Sequence, residues 1–351
     1  MIDVLMWSLN WRNPYVRLIA KHLGKGFAVR PYAWMKPFQK ADILHFHWPE
    51  NTFAVGSLSK WYETRAGWLN LEATIGAVRR RGGALVWTAH NVERHEPFPP
   101  AIAAYAERHL RRFYASVDVA IAMSADQIPM LRQQFPDVAP DRWRVAAHPH
   151  YRTTYREWRS RPETRADLAI PDDAFVIAML GNVRRYKGLL DAIKLVRSMR
   201  NPRLHLLIGG TCKDRALAAE LKEAVAGADN IRLELTPLTR TAYASYQRAA
   251  DLALFNFTQI LNSGSILAAL SMDCPVLAPR AAAFEVLASR NGDWVDLFDG
   301  PLTAEILQRT IDRLSANPPS GQPDLDEYSP ERIGEVHGRI YAEALELAAR
   351  R

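Results

Sequence analysis

Short apolar runs alternate with amphipathic stretches along almost the whole chain. In the first half, residues 2–7, 43–48, 84–89, 117–123 and 144–147 read as strands. Residues 15–23, 69–80, 101–114 and 125–134 read as helices. In the second half 175–180, 204–208, 231–235, 252–255 and 275–277 are short apolar runs, as expected of strands buried on both faces. Helical patterns at 189–199, 215–225, 241–250 and 266–272 separate them. Strand–helix alternation predicts an α/β chain with parallel, doubly wound sheets. The polar stretch 151–173 is the expected linker, giving a first domain over 1–155 and a second over 170–325. Beyond a Pro/Gly-rich stretch at 317–330, a last helix over 331–350 is expected to cross back to the first domain.

Composition narrows the class. With 351 residues the chain has room for two Rossmann-like domains facing a cleft. Two cysteines, Cys212 and Cys274, cannot make a disulfide framework, which points to a reducing, cytoplasmic setting. No run reaches the length of a membrane span. The net charge of +7 is unevenly spread: residues 1–160 carry 22 Lys/Arg against 13 Asp/Glu. Every tryptophan except Trp294 also lies there. A basic, Trp-rich half suits peripheral contact with an anionic membrane surface; nucleic acid is the lesser reading and is not expected as a partner.

Candidate chemistry in the first half sits where strands run out, which is where open α/β sheets bind ligands. One loop holds Asn13, Pro14 and Tyr15; a second reads His45-Phe46-His47-Trp48-Pro49-Glu50; a third reads His90-Asn91-Val92-Glu93-Arg94-His95-Glu96. Glu50, Glu96 and His90 are the candidates to take a proton from an attacking hydroxyl. His45 and His47 are expected to divide between the core and the rim. The histidine spacings match no paired-ligand pattern, so no metal is expected. The Arg79-Arg80-Arg81-Gly82-Gly83 run reads as a helix end.

The second half carries two anion-suited elements. Asn262-Ser263-Gly264-Ser265 opens a helix whose first N–H groups would face a phosphate. Gly181-Asn182-Val183-Arg184-Arg185-Tyr186-Lys187-Gly188 follows a strand and supplies cations. Arg184 and Lys187, with Tyr186, could neutralise a diphosphate leaving group without a metal or other cofactor. Gly209 would close on the nucleotide or simply turn the chain.

With His148-Pro149-His150-Tyr151 and Pro275-Val276-Leu277-Ala278-Pro279 added, this motif order resembles the GT-B glycosyltransferases. It resembles most the glycolipid β-1,4-mannosyltransferases of xanthan-type exopolysaccharide assembly. The resemblance implies GDP-mannose as donor, a polyprenyl-diphosphate-linked oligosaccharide as acceptor, and inversion at the anomeric carbon. It implies acceptor contacts from Asn13, Tyr15, His45, His47, Trp48, His148 and His150. The Glu-x7-Glu motif of retaining relatives falls on Ile260 and Ala268, neither of them acidic. Rival expectations are a transferase using a UDP- or ADP-sugar, a catalytically idle nucleotide-binding protein, and a nucleotide-sugar 2-epimerase.

Overall fold

A computed structural model describes residues 1–7, 13–34, 36–53, 59–91, 98–258 and 264–351, the side chains of 59–64 and 101 excepted. The chain divides into two units. The first comprises Met1–Pro149 with Glu327–Arg351, the second His150–Asp326.

The first unit runs β1 (Ile2–Trp7), α1 (Pro14–His22), β2 (Phe27–Pro31), β3 (Ile43–Phe46), a 3-10 turn at Pro49–Phe53, α2 (Ser59–Arg80), β4 (Ala84–Thr88), α3 (Pro100–Ser116), β5 (Val119–Ala122), α4 (Ile128–Gln134) and β6 (Trp143–Val145). Its sheet has the order β2-β1-β3-β4-β5-β6, every pair parallel. The order reverses between β1 and β3, so a crevice opens there at the carboxyl ends of the strands. α2 stops as its last turn reads: Arg79 and Arg80 lie at the negative dipole end, and Gly82 takes φ +75°.

The second unit runs α5 (Arg161–Asp167), β7 (Phe175–Leu180), α6 (Leu189–Ser198), β8 (Leu204–Gly209), α7 (Arg215–Ala224), β9 (Ile231–Glu234), α8 (Arg240–Ala249), β10 (Leu252–Leu254), α9 (Gly264–Leu270), β11 (Val276–Pro279), α10 (Ala282–Arg290), β12 (Val295–Phe298) and α11 (Ala304–Ala316). Its sheet order, β12-β11-β10-β7-β8-β9, places the reversal between β7 and β10. That is the strand order of dinucleotide-binding sheets.

The last helix, α12 (Pro330–Ala349), belongs to the first unit. Ile333, Ile340, Tyr341 and Ala344 recur at helical spacing and are buried in one cluster with Val4, Val16, Ile19 and Ile43. At Gly334 a Cβ would stand 1.9 Å from the His22 carbonyl oxygen, so only glycine lets α12 approach α1 this closely.

Two expectations change here. The unit boundary falls between Pro149 and His150 rather than at 155, and the expected linker holds a formed helix, α5. Ser160 caps that helix reciprocally with Glu163, and Arg165 and Asp251 pin it to the second sheet. Four of the nine tryptophans in the basic first part, Trp7, Trp68, Trp87 and Trp143, are also core residues. Their aromatic area packs the domain instead of offering a membrane surface.

Candidate functional site

In the first unit the strand ends converge on a buried group of imidazoles. His45 and His47 are two apart on one strand, and alternation puts them on the same face rather than dividing them. Their ring centroids lie 4.2 Å apart and both are fully buried. His45 is held at both nitrogens: Nδ1 lies 2.6 Å from the Tyr341 hydroxyl and Nε2 lies 2.8 Å from Thr88 Oγ1. Both ring nitrogens of His45 are thus engaged inside the fold.

His47 Nδ1 and His90 Nε2 stand 3.1 Å apart. Burial and the neighbouring imidazoles hold both rings far below their usual pKa, His47 at about 3, so one neutral ring donates its N–H to the other. Trp48 stacks on His90 at 4.1 Å. Tyr15 sets its ring edge-on to His90 at 4.9 Å and lies 4.9 Å from His148. His148 Nδ1 donates to the Pro149 carbonyl at 2.8 Å, which fixes its tautomer, and burial lowers its pKa to about 4. Asn13 spends its side chain capping α1, its Oδ1 accepting from the Tyr15 N–H at 2.9 Å. Glu50 sits in the first turn of the 3-10 segment, half-buried.

Of these groups, His47, Trp48, Glu50 and His90 line a cavity of about 600 Å³ within the first unit. Trp87 and Tyr114 line it with them, and Arg111, Gln133 and Asp137 add polar groups. A lining of aromatic and polar side chains is suited to a sugar, whose CH faces stack while its hydroxyls hydrogen-bond. Glu96 lies outside the described residues. His150 belongs to the second unit, where its Nδ1 accepts from the Arg152 N–H at 3.4 Å.

Two residues of this layer escaped the sequence reading. His337 and Tyr341 come from α12, and His337 Nδ1 donates to the Ile333 carbonyl at 2.9 Å. The signal was there: on α12 both fall on the stripe set by Ile333, Ile340 and Ala344, at core positions where a polar group needs a reason.

In the second unit the carboxyl ends of β7 and β10 meet around Lys187. The segment Arg185–Lys187 is a 3-10 turn ended by Gly188 at φ +62°, where a Cβ would stand 2.4 Å from the Asn256 carbonyl oxygen. This turn buries Lys187 among Met179, Gly181, Leu254 and Phe257. Its Nζ stands 5.8 Å from the centre of the Phe257 ring, and no carboxylate pairs with it among the described residues. Burial, with Arg184 nearby, lowers its pKa to about 8. Arg184 is half-buried in extended backbone. Arg185 is different: Asp214 at 3.0 Å and Glu220 at 2.7 Å hold its guanidinium. Tyr186 packs its ring on Phe257 and gives its carbonyl to the Thr258 N–H at 2.8 Å. Gly209 ends β8 and is buried, its carbonyl accepting from the Gly181 N–H at 2.8 Å, so it joins the carboxyl ends of β7 and β8.

Gly264 and Ser265 open α9 half-buried, and the following Ile266–Leu270 segment is fully interior. Asn262 and Ser263 lie outside the described residues. Among the described residues no group of three His, Cys, Asp or Glu side chains could hold a metal. No helix among them is long and apolar enough to cross a membrane.

No family model matches the chain. It is 28% identical over 339 residues to a GDP-mannose:glycolipid 4-beta-D-mannosyltransferase of Xanthomonas campestris pv. campestris, covering 95% of this chain and 89% of that protein. Among solved structures, Anabaena HepE in complex with UDP-glucose superposes with a TM-score of 0.63 at 14% identity, covering 100% of this chain and 99% of that one. The catalytic domain of starch synthase IV from Arabidopsis thaliana, bound to ADP and acarbose, gives 0.65 at 9% identity, with both chains fully covered. Two parallel doubly wound sheets, a strand-end site in each unit and these likenesses lead to one conclusion: the chain has the GT-B fold and is similar in sequence over nearly its whole length to a glycolipid mannosyltransferase.

Proposed function

We propose that this protein transfers mannose from GDP-mannose to a polyprenyl-diphosphate-linked oligosaccharide, with inversion and without a metal, during exopolysaccharide assembly at the cytoplasmic face of the inner membrane. The observation that carries this reading is the 28% identity over 95% of the chain to a GDP-mannose-dependent glycolipid mannosyltransferase. The residues are suited to each part of the reaction. An acceptor hydroxyl oxygen attacks the anomeric carbon, the bond from that carbon to the diphosphate breaks, and GDP leaves with the electron pair. Lys187 and Arg184 supply the charge that meets the departing diphosphate. The proton of the hydroxyl passes to a base of the first unit. Glu50 is our choice, because it lines the sugar-suited cavity, with His90 as the alternative. Ala268 is buried in α9, where a retaining relative's motif would put a carboxylate, and this favours direct displacement.

A thermal-shift panel of GDP, UDP and ADP without added metal tests the donor. At a hundred times its Kd, GDP is expected to stabilise the protein by about 2.7 kcal/mol, with UDP and ADP far behind. Preference for UDP or ADP overturns GDP-mannose and leaves the transferase reading; silence from all three favours an idle protein. A second test concerns the base. Glu50→Gln is expected to lower kcat by about 10²- to 10⁴-fold while the GDP response stays unchanged. Full turnover in that variant passes the role to His90 or Glu96, and the same substitution at Glu96 then separates those two.

A further inference from the structure

Between Asp3 and Asp42 the sequence has no carboxylate, yet it carries Arg12, Arg17, Lys21, Lys25, Arg30, Lys36 and Lys40. Of these, Arg30 is engaged by Asp3 at 2.9 Å. Among the described residues Lys21, Lys25, Lys36 and Lys40 pair with no acid, and the nearby Glu331 of α12 is paired with His22 at 3.1 Å. Within this acid-free stretch, beside the edge strand β2, Lys36-Pro37-Phe38-Gln39-Lys40 makes an exposed turn.

Phe38 is 60% exposed and holds a left-handed backbone, φ +54°. For a bulky residue that conformation is strained, and glycine would take it freely. The turn keeps it because Gln39 anchors the base. The Gln39 side chain is buried, its Oε1 accepting from the Ala33 N–H at 3.0 Å, its Nε2 donating to the carbonyls of Ala33 at 2.9 Å and Lys36 at 2.7 Å. The Gln39 N–H donates to Thr74 Oγ1 of α2 at 3.4 Å. Strain and exposure at one aromatic residue, on a rigid base between two unpaired lysines, have no structural return within the fold.

We propose that this turn is a membrane-docking finger, Phe38 entering the headgroup–acyl boundary of an anionic phospholipid surface while Lys36 and Lys40 meet the phosphates. The partner rests on the glycolipid reading above, and the surface is new. Charge complementarity with an acid-free stretch selects an anionic bilayer, and a lone insertion residue with flanking cations matches its layered polarity.

The test is flotation of the full-length protein with vesicles of phosphatidylcholine alone or mixed equally with phosphatidylglycerol. Binding is expected to the anionic vesicles only and to weaken in 0.5 M salt, a concentration of about three times the physiological ionic strength. Phe38→Gly should raise Tm, because glycine relieves the strained backbone, and should still cut vesicle binding about tenfold. Loss of binding therefore cannot come from misfolding. Phe38→Trp should retain it, and the double change Lys36→Glu with Lys40→Glu should cost about thirtyfold or more. Undiminished binding by Phe38→Gly, or equal binding to neutral vesicles, overturns the proposal. Retention on a single-stranded oligonucleotide with the same Phe38 dependence overturns it in favour of nucleic acid. The GDP-induced thermal shift reads the second unit, so it fails or holds independently of this result.

Discussion

Replacing Lys187 by Met is expected to stabilise the ligand-free protein while abolishing its response to a nucleoside diphosphate. Both effects have one cause. Lys187 is buried without an acidic partner among the described residues, and its pKa falls to about 8 from 10.5. A depression of that size corresponds to ~3 kcal/mol spent on keeping the ammonium charged in the fold at neutral pH. The folded state binds fewer protons than the unfolded state between pH 8 and 10.5. The penalty is therefore complete below pH 8 and fades as pH rises through that window. The Tm advantage of Lys187→Met should accordingly be largest near pH 7 and shrink toward pH 10.

A bound diphosphate reverses the balance, since its oxygens restore to the ammonium what burial removed. Affinity for GDP should then fall by about tenfold or more between pH 7 and 9.5 in the native protein, as free Lys187 loses its proton. The variant's residual binding should be flat over that range. Calorimetric titrations of GDP at the two pH values decide the matter. An unchanged Tm together with normal GDP affinity in the variant would remove Lys187 from the donor site.

How far the sequence led depends on where each element lies in its sheet. β3 and β4, Ile-Leu-His-Phe and Ala-Leu-Val-Trp-Thr, are covered on both faces, so they appear as unbroken apolar runs. β2 and β12 are edge strands. β2 carries Arg30 and Pro31 and is half-exposed, and β12 carries Asp296, which Arg313 of α11 engages at 3.0 Å. Neither shows the continuous run that marks a central strand, and α10 and α11, which flank β12, went unread with it. The same logic holds for the site. Tyr15, Trp48, His90 and His148 follow strand or helix ends, and topology alone gathers them. Tyr341 is separated from His45 by 296 residues, and no local pattern could couple a core position of the last helix to a strand of the first sheet. Composition has one blind spot: abundant tryptophan in a basic half says nothing about burial, and four of those nine rings are interior.

Lowering the pH from 7 to 5 is expected to unfold the first unit while the second remains folded. His45, His47, His90, His148 and His337 are buried together and neutral, with His47 at about 3 and His148 and His337 at about 4. His45 and His90 are held well below the usual histidine value by burial and by the other imidazoles. The unfolded chain takes up these protons from about pH 6.5 downward, whereas in the folded chain burial resists them, at His47, His148 and His337 until about pH 4 or lower. Stability present above pH 6.5 is therefore lost as pH falls through that window. His47, His148 and His337 each forfeit ~2 kcal/mol by pH 5, ~6 kcal/mol together, which already rivals the ~5–15 kcal/mol stability of a domain. Carboxylates such as Glu343, held low by Arg144, lose their contribution only below the normal glutamate range, so the two sources separate along the pH axis. Every tryptophan except Trp158 and Trp294 lies in the first unit, which makes intrinsic fluorescence a selective probe of it. The acid midpoint should lie near pH 5 and involve several protons. His337→Gln should move it downward, because the variant keeps a polar side chain in the layer but removes one proton-linked site. A midpoint below pH 3.5, unmoved by that substitution, would mean that carboxylates and not the imidazole layer set the acid limit of this domain.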